Sequence, residues 1–255
     1  MARTIHIGCC GWSYLNEHDF DDQYKKPHTS KLQAYAELFS VVEINSTFYR
    51  LPRLSTAEKW RKEADAINPA FEFTVKAYQG ITHLHRFRGK ESREQFEQLK
   101  AICAALKARL LLFQSPASFA PTKANMDAMR TFFDTIHRDT LILVWEPRGR
   151  WYDDPTLIAE ICTTCNLIQC VDPFRNDVVQ AQSVAYFRLH GFGKPSMYRY
   201  DFSHTELQQL HRIIRGLPRS TKEAYVFFNN VECYRNGREF ATLLAGKRLD
   251  KNTRR

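Results

Sequence analysis

The stretch VVEINSTFYRLP, residues 41–52, begins as a buried strand and ends as a polar, aromatic loop. Its β-branched apolar residues favour a strand, yet Glu43 and Asn45 add a carboxylate and an amide to the same segment. Residues two apart on a strand point to one face, so these two side chains share a face. The stretch therefore predicts a strand whose polar end opens into a functional loop.

Similar apolar runs recur along the 255-residue chain, and most are near-continuous in hydrophobicity, which is typical of parallel strands covered on both faces. They predict eight strands, at Ile5–Cys10, Phe39–Asn45, Phe71–Ala77, Arg109–Ser115, Leu141–Pro147, Leu167–Pro173, Val184–Gly191 and Ala224–Asn230.

Segments of helical period separate the strands, at Thr56–Ala66, Ser92–Lys107, Lys123–His137, Pro155–Cys165, Thr205–Arg215 and Arg238–Gly246. Ser55–Glu58 has the pattern of a capping box, and Asp154 precedes a first-turn proline. This alternation predicts an α/β fold, a (β/α)8 barrel that forms a single domain over residues 1–255 with a short basic tail at about 247–255. The alternative is an open doubly wound sheet, but GCCGW at residues 8–12 is not the GxGxxG turn that such a sheet would carry.

Composition limits the class of protein. The formal net charge of +9 favours an anionic partner, nucleic acid first, although a basic surface can also serve only solubility. No run approaches the ~18 apolar residues of a membrane span, and the N-terminus leaves no room for a signal peptide, so we expect a cytoplasmic protein without a membrane partner. Seven cysteines in mostly apolar contexts predict a reducing compartment and no structural disulfides.

Seven of the predicted strands end in polar functional groups, whereas their starts show no comparable series. The strand-end residues are Glu43 and Asn45, Lys76, Gln114, Glu146 and Arg148, Asp172, Arg188 and His190, and Asn229 and Asn230. In a barrel these ends converge on one mouth, the face where barrel enzymes build their active sites. Burying such charges is costly unless they are paired, so the cluster predicts a functional site.

Several roles are open to these residues. Glu43 and Glu146 are a candidate acid/base pair, while Lys76 could hold an anion, act as an amine nucleophile, or form a salt bridge with either carboxylate. Arg188 and His190 lie on one side of their strand and suit an anion and a mobile proton. A hydrogen-bonded interior histidine is the alternative for His190.

A metal site is the rival interpretation of the strand ends, because His, Glu and Asp can bind zinc or manganese. HExxH is absent from the sequence, His83–His85 is an isolated HxH and Cys162–Cys165 is an isolated CxxC. We therefore predict no cofactor and no metal ligands, and keep a divalent metal as the alternative.

The loops expected around the mouth are rich in aromatic residues interleaved with arginines, namely Trp12, Tyr14, Phe48, Tyr49, Trp145, Trp151, Tyr152, Phe192, Tyr198 and Tyr200. Bases or sugars could stack on such a surface while phosphates are paired. Loop packing is the alternative use of these rings.

The motifs GCCGWSY, VVEINSTFYRLP, FEFTVKA, ITH, QSP, WEPRGRW, YFRLHG and VFFNN, in this order, resemble the YecE-like family, domain of unknown function 72. The resemblance extends from Ile7 to about Leu244 and implies a TIM barrel, without a settled reaction. Likeness of such barrels to endonucleases that act at DNA lesions implies a link to nucleic acid at the level of fold.

The family's recurrent polar set falls on Gly8, Trp12, Glu43, Asn45, Thr47, Tyr49, Lys76, Thr82, His83, Gln114, Glu146, Arg148, Trp151, Arg188, His190, Asn229 and Asn230. This chain departs from the family at Cys9-Cys10, where many members have Thr-Ser. It departs again at Glu146–Trp151, a loop that is shorter and lacks the family's histidine, which removes any role for that histidine here.

Together these patterns favour an enzyme of nucleic-acid metabolism, a hydrolase or lyase acting on damaged or single-stranded DNA. We predict Glu43, Lys76, Glu146 and His190 as catalytic residues, and the substrate-binding residues as Trp12, Asn45, Tyr49, His83, Gln114, Arg148, Trp151, Asp172, Arg188, Asn229 and Asn230. Two alternatives are an enzyme of a small phosphorylated or carboxylated sugar, and a non-catalytic accessory protein that binds nucleic acid.

Overall fold

The computed structural model describes residues 3–25 and 27–246, so the predicted basic tail lies outside the described residues. Eight parallel strands close a barrel in chain order, with β1 paired to both β2 and β8, and the predicted (β/α)8 fold is confirmed. The strands are β1 Thr4–Cys9, β2 Val41–Ile44, β3 Glu72–Lys76, β4 Leu110–Gln114, β5 Ile142–Glu146, β6 Ile168–Val171, β7 Val184–Leu189 and β8 Glu223–Phe228.

The described helices surround this barrel as α1 Lys31–Leu38, α2 Leu54–Ile67, α3 Gly89–Leu106, α4 Lys123–Thr135, α5 Pro155–Thr164, α6 His204–Gly216 and α7 Cys233–Leu244. The described residues 172–183, which connect β6 to β7, contain no helix. All eight predicted strands form, whereas α1 was not predicted. This helix is only eight residues long, and Ser30 caps it by accepting a hydrogen bond from the Gln33 amide.

Helix starts show which capping signals are used. Asp154 caps α5 as predicted, accepting from the Thr156 amide. The predicted capping box at Ser55 is wrong, because α2 already begins at Leu54 and Ser55 lies inside the helix. A capping box with both hydrogen bonds forms instead at Ser203 and Glu206, at the start of α6.

The barrel interior is apolar at its middle and polar at both ends. A cluster separate from the outer core fills the middle, formed by Val41, Leu110, Leu112, Val144, Cys170, Val184, Tyr186, Tyr225 and Phe227. Residues two positions further along these strands, such as Glu43, Gln114 and Glu146, stand above it. The packed cluster therefore forms a rigid floor beneath the strand ends.

The opposite end of the barrel corrects one expectation, that strand starts carry no polar series. His6 lies 3.4 Å from both Glu72 and Glu223, and its ring stacks on Tyr225. Arg109 pairs with Glu223 at 2.6 Å. Single charged residues near the starts of four strands thus meet in space, although none stands out from its neighbours in sequence.

All seven cysteines are free. Within the described part of the chain, none of the helices combines the length and the apolar character needed to cross a membrane.

Candidate active site at the carboxyl ends of the strands

Arg188, near the end of β7, is the centre of the barrel mouth. Its guanidinium is buried and reaches Glu43 of β2 on one side, with Nη2 2.9 Å from Oε1, and Glu146 of β5 on the other, with Nη1 2.6 Å from Oε2. Tyr186, two residues earlier on β7, donates to Glu43 Oε2 at 2.8 Å. One arginine therefore joins two carboxylates from opposite parts of the barrel.

The network continues from Glu146 towards β6. Arg148 Nη2 lies 2.5 Å from Glu146 Oε1 and 3.0 Å from His190 Nε2, and His190 Nδ1 lies 3.2 Å from Asp172 Oδ2. Gln114 donates to Glu146 Oε2 at 2.8 Å. We call this set the mouth network, consisting of Glu43, Gln114, Glu146, Arg148, Asp172, Tyr186, Arg188 and His190.

The charges of the mouth network hold Glu146 in its ionised form. Burial opposes ionisation, but Arg188 and Arg148 outweigh it, so the pKa of Glu146 lies well below its usual range. A carboxylate that stays ionised can orient and stabilise positive charge but is a poor proton donor at neutral pH. The predicted acid/base pair of Glu43 and Glu146 is therefore disfavoured, since Glu43 is also held by two donors.

His190 also has both ring nitrogens occupied. Arg148 has no acceptor atom, so Nε2 accepts its hydrogen bond and Nδ1 carries the hydrogen that Asp172 receives. The Asp172 carboxylate accepts the His190 backbone amide as well, at 3.1 Å. The arrangement corresponds to the interior, hydrogen-bonded histidine that the sequence left as the alternative to a proton carrier.

Lys76, at the end of β3, differs from every charge in the network. Its side chain is 5% exposed, and its ammonium group lies over the Phe48 ring, 4.2 Å from the ring centroid. Nζ has no hydrogen bond or ion pair with any residue in the described ranges, so the alternative of a salt bridge to Glu43 or Glu146 is not realised there.

Burial lowers the pKa of Lys76, and the nearby charge of Arg188 lowers it further, to about 8. Thr47 fixes the backbone at this position, because its hydroxyl lies 2.6 Å from the Lys76 carbonyl oxygen and 2.7 Å from that of Ile44. The mouth therefore presents an amine on an anchored backbone position, and this amine loses its proton more readily than an ordinary lysine.

His83 lies next to this amine in a π-helical turn, Gly80–Leu84, that follows β3. Its ring packs against Phe48 in a T-shaped contact with centroids 4.9 Å apart, and Nδ1 lies 2.8 Å from the Thr82 hydroxyl. Burial lowers the pKa of His83, and the charge of Lys76 adds to that effect.

Other predicted binding residues are spread around the mouth. Asn45 sits beyond Glu43, and its buried Oδ1 has no hydrogen-bond partner among the described residues. Tyr49 is largely exposed, whereas Trp12 packs edge-on against Trp60. Asn229 is half-buried at the end of β8.

Burial does not fit the substrate-binding role that was predicted for two residues, Trp151 and Asn230. Trp151 has no exposed surface, donates to the Phe119 carbonyl at 2.5 Å and packs edge-on against the equally buried Trp145. Asn230 is buried and its Nδ2 donates to Tyr200 O and to Asn236. Both side chains organise the loops behind the mouth instead of lining it.

Sequence reasoning missed Tyr186 and gave Phe48 no special position. Tyr186 looks like an ordinary aromatic strand residue, and only its spacing of two from Arg188 indicates that it faces inward. Cys10 was predicted as a strand end and as a departure from the family pattern, without a contact to Arg188, but its sulfur lies 3.7 Å from Arg188 Nη2. Burial and Glu43 raise the pKa of Cys10, so it remains a thiol and is no candidate nucleophile.

The rim of the mouth is apolar as well as polar. Among the described residues, the large hydrophobic side chains that are exposed all lie at the mouth end of the barrel, in segments that follow a strand: Tyr14, Tyr49, Leu54, Leu84, Phe192, Tyr198 and Val231. We call these seven residues the exposed rim. Exposed apolar side chains gathered on one face are typical of binding surfaces.

No group of three or more His, Cys, Asp or Glu side chains within residues 3–25 and 27–246 has an arrangement that could hold a metal ion. The charged side chains of the mouth network instead alternate in sign and bind one another.

Comparison with solved structures places this barrel among known folds. A crystal structure of a DUF72 family protein from Thermotoga maritima has a TM-score of 0.75 at 25% identity, covering 95% of this chain and 100% of that one. SacUVDE gives a TM-score of 0.59 at 8% identity, covering 96% and 99%. D-psicose 3-epimerase, in a structure with D-fructose, gives 0.57 at 11%, covering 83% and 90%. The last two likenesses concern the fold alone.

Sequence comparison agrees with this. The UPF0759 protein YunF of Bacillus subtilis (strain 168) is 28% identical over 275 residues, covering 94% of this chain and 94% of that protein. The family described as "Protein of unknown function DUF72" matches residues 6–254. The chain therefore belongs to the DUF72 family.

Proposed function

We propose that the mouth is the active site of a lyase that cleaves DNA at abasic positions through a Schiff base on Lys76. The observation that carries the proposal is the buried amine of Lys76, which forms no direct ion pair with any described residue and whose pKa is lowered to about 8 although Glu146 and Glu43 act to raise it. A desolvated lysine near another cation is the form in which lysine acts as a nucleophile.

The lowered pKa supplies the reactive form. With a pKa of about 8, about a tenth of the amine is unprotonated at pH 7, against fewer than about one in a thousand for an ordinary lysine. Hydrolysis by paired carboxylates is less well supported, since Glu43 and Glu146 are both held by Arg188. The geometry thus favours amine chemistry over acid/base hydrolysis.

The reaction would use the aldehyde that an abasic deoxyribose exposes when its ring opens. The Lys76 amine adds to C1′, and loss of water leaves a C1′=N bond. Removal of a C2′ proton and departure of the 3′ phosphate oxygen with the bonding electrons then break the C3′–O bond. Water finally adds to the imine and releases both the lysine and an unsaturated aldehyde.

A polymeric substrate is favoured by the exposed rim. Stacking of a base on an exposed aromatic ring contributes about 1–3 kcal/mol, and Tyr14 and Tyr49 both offer exposed rings beside the mouth. Arg50 and the formal net charge of +9 add the positive potential that a phosphate backbone requires. A small sugar that enters the mouth would leave the rim without a role.

The test is borohydride trapping with an oligonucleotide that contains one abasic site, in single-stranded and double-stranded form, at ~50 mM salt. We expect a covalent protein–DNA adduct with the native protein and none with Lys76→Met. Lys59→Met is the matched control, because Lys59 is an exposed lysine on α2 with an ordinary i,i+4 partner, Glu63, and it should trap like the native chain.

Each contrary result points elsewhere. An adduct that persists in Lys76→Met overturns the assignment of the amine. Oligonucleotide binding that weakens linearly in log[salt] without an adduct in the native protein supports the non-catalytic accessory protein instead. Absence of binding, with trapping of a small aldose or ketose on Lys76, supports the sugar enzyme.

A further inference from the structure

His83 and His190 both lie at the mouth, and they differ in whether a ring nitrogen is free to accept a proton. Both nitrogens of His190 are engaged, by Asp172 and by Arg148. His83 uses only Nδ1, towards Thr82, and its Nε2 has no hydrogen bond to any residue that the structure describes. A base that takes a proton from a substrate needs such a free nitrogen.

The position of His83 follows from its turn. Thr82, in the same π-helical turn, is fully buried and holds Nδ1 at 2.8 Å, while His83 remains partly open to solvent. If Nδ1–H donates to the Thr82 hydroxyl, the lone pair of Nε2 is left free. Thr82 therefore acts as a positioning residue for His83.

Lys76 and His83 share one aromatic ring. The ammonium group of Lys76 lies over the face of Phe48, and the imidazole packs against the same ring in a T-shaped contact. Burial and the charge of Lys76 both lower the pKa of His83, which keeps the imidazole neutral at neutral pH and able to accept a proton. Geometry and charge thus agree that the two groups act on the same small volume.

We infer that His83 is the proton carrier of the Lys76 reaction, with Nε2 removing the C2′ proton from the Schiff base. This inference rests on the proposed function. The C2′–H electron pair forms a C1′=C2′ bond, and the C=N electron pair passes to the nitrogen of the protonated Schiff base, which becomes a neutral amine nitrogen. Return of those electrons forms C2′=C3′, restores C1′=N and releases the phosphate, and the proton on His83 passes to solvent.

The experiment separates adduct formation from strand cleavage. With His83→Gln, borohydride trapping on the abasic oligonucleotide should stay within about twofold of the native protein, while single-turnover cleavage should fall by about 10²–10⁴-fold. The fall of the cleavage rate at acid pH should be shallower in His83→Gln than in the native protein, because only the titration of Lys76 would then contribute to it. Thr82→Val should lower cleavage to an intermediate degree without loss of trapping.

His85→Gln is the matched control, because His85 ends the same turn and should leave both measurements unchanged. Cleavage by His83→Gln within about threefold of native overturns the inference, as does loss of trapping together with cleavage in a variant whose thermal melt is native. If the native protein itself gives neither adduct nor cleavage, the proposed function fails. This result can be told apart from a failure of the His83 inference, because it is obtained with the native protein alone.

Discussion

The two ends of the barrel contain charged clusters of similar composition in different surroundings. At the mouth, Arg188 is 1% exposed and joins two carboxylates that are themselves buried. At the opposite end, Arg109 is 46% exposed and pairs with Glu223, which is 28% exposed. Both clusters contain an arginine between carboxylates, a histidine and a tyrosine.

The difference in solvent exposure changes how much each cluster contributes to the stability of the fold. An exposed ion pair contributes about 0–1 kcal/mol to stability, whereas a buried pair can cost more in desolvation than it gains, and removal of one partner is severe. The cluster at the strand starts, which we call the lower cluster, is therefore a minor stabilising feature; it consists of His6, Glu72, Arg109, Glu223 and Tyr225. The mouth network makes a poor stabiliser, which fits a role in orienting and holding a reactive site.

The largest expected effect tests this contrast directly. Arg188→Met should lower the free energy of unfolding by about 3–5 kcal/mol, because the buried Glu43 would lose its ion-pair partner and Glu146 would keep only Arg148. Urea denaturation followed by circular dichroism would measure it. The double variant Arg188→Met with Glu43→Leu should recover part of the loss, and a double variant no more stable than the single one would contradict the explanation.

The next effect concerns Lys76 at alkaline pH. Its folded pKa of about 8 lies below the unfolded value of about 10.4. Between these values the unfolded chain binds more protons, so the free energy of unfolding should rise with pH relative to Lys76→Met, by up to about 3 kcal/mol. Urea titrations from pH 7 to about 10 would show it. Parallel curves for the two proteins would argue against a depressed pKa.

A smaller effect is expected at acid pH, where the contribution of Glu146 at the mouth to the free energy of unfolding can be compared with that of Glu223 at the opposite end. The folded pKa of Glu146 is lowered by arginines despite burial, so its contribution is complete above the unfolded pKa of about 4.3 and is lost as pH falls below it. At pH 7 the free energy of unfolding of the native protein should exceed that of Glu146→Gln by about 2 kcal/mol. This difference should narrow below about pH 5. Glu223→Gln should differ from native by under about 1 kcal/mol.

The smallest effect is expected for Arg109→Met. Loss of a half-exposed pair should reduce the free energy of unfolding by less than about 1 kcal/mol. The difference should shrink further in ~1 M salt, where the Debye length is about 3 Å. A loss comparable with that of Arg188→Met would remove the distinction between the two ends.

Much of the mouth could be predicted from sequence, because topology fixes it. Near-continuous apolar runs indicate parallel strands, and parallel strands deliver their carboxyl ends to one side, so the convergence of Glu43, Lys76, Glu146 and Arg188 follows from strand order. The starts of the same strands converge equally well. The lower cluster could not be predicted, because each of its strand starts carries a single charge. Glu72, for example, looks in the sequence like an ordinary solvated residue.

Sequence could not reveal which groups pair across the barrel. Arg188 and Glu43 are separated by 145 residues, and only side-chain reach across the mouth decides that Arg188, not Lys76, takes the carboxylates. Loop conformation decided the burial of Trp151, whose aromatic ring suits a rim and a core equally well. Whether Nε2 of His83 is free to accept a proton also depends on the π-helical turn, and the sequence around His83 does not specify that turn.

The exposed rim has a consequence for how the protein behaves in concentrated solution. Its large apolar side chains are gathered at one end of the molecule, so two copies that meet mouth to mouth would bury them against each other. At low ionic strength the formal net charge of +9 opposes such an encounter by mutual repulsion. Added salt screens that repulsion, and the protein should then begin to self-associate through the face that it otherwise keeps open.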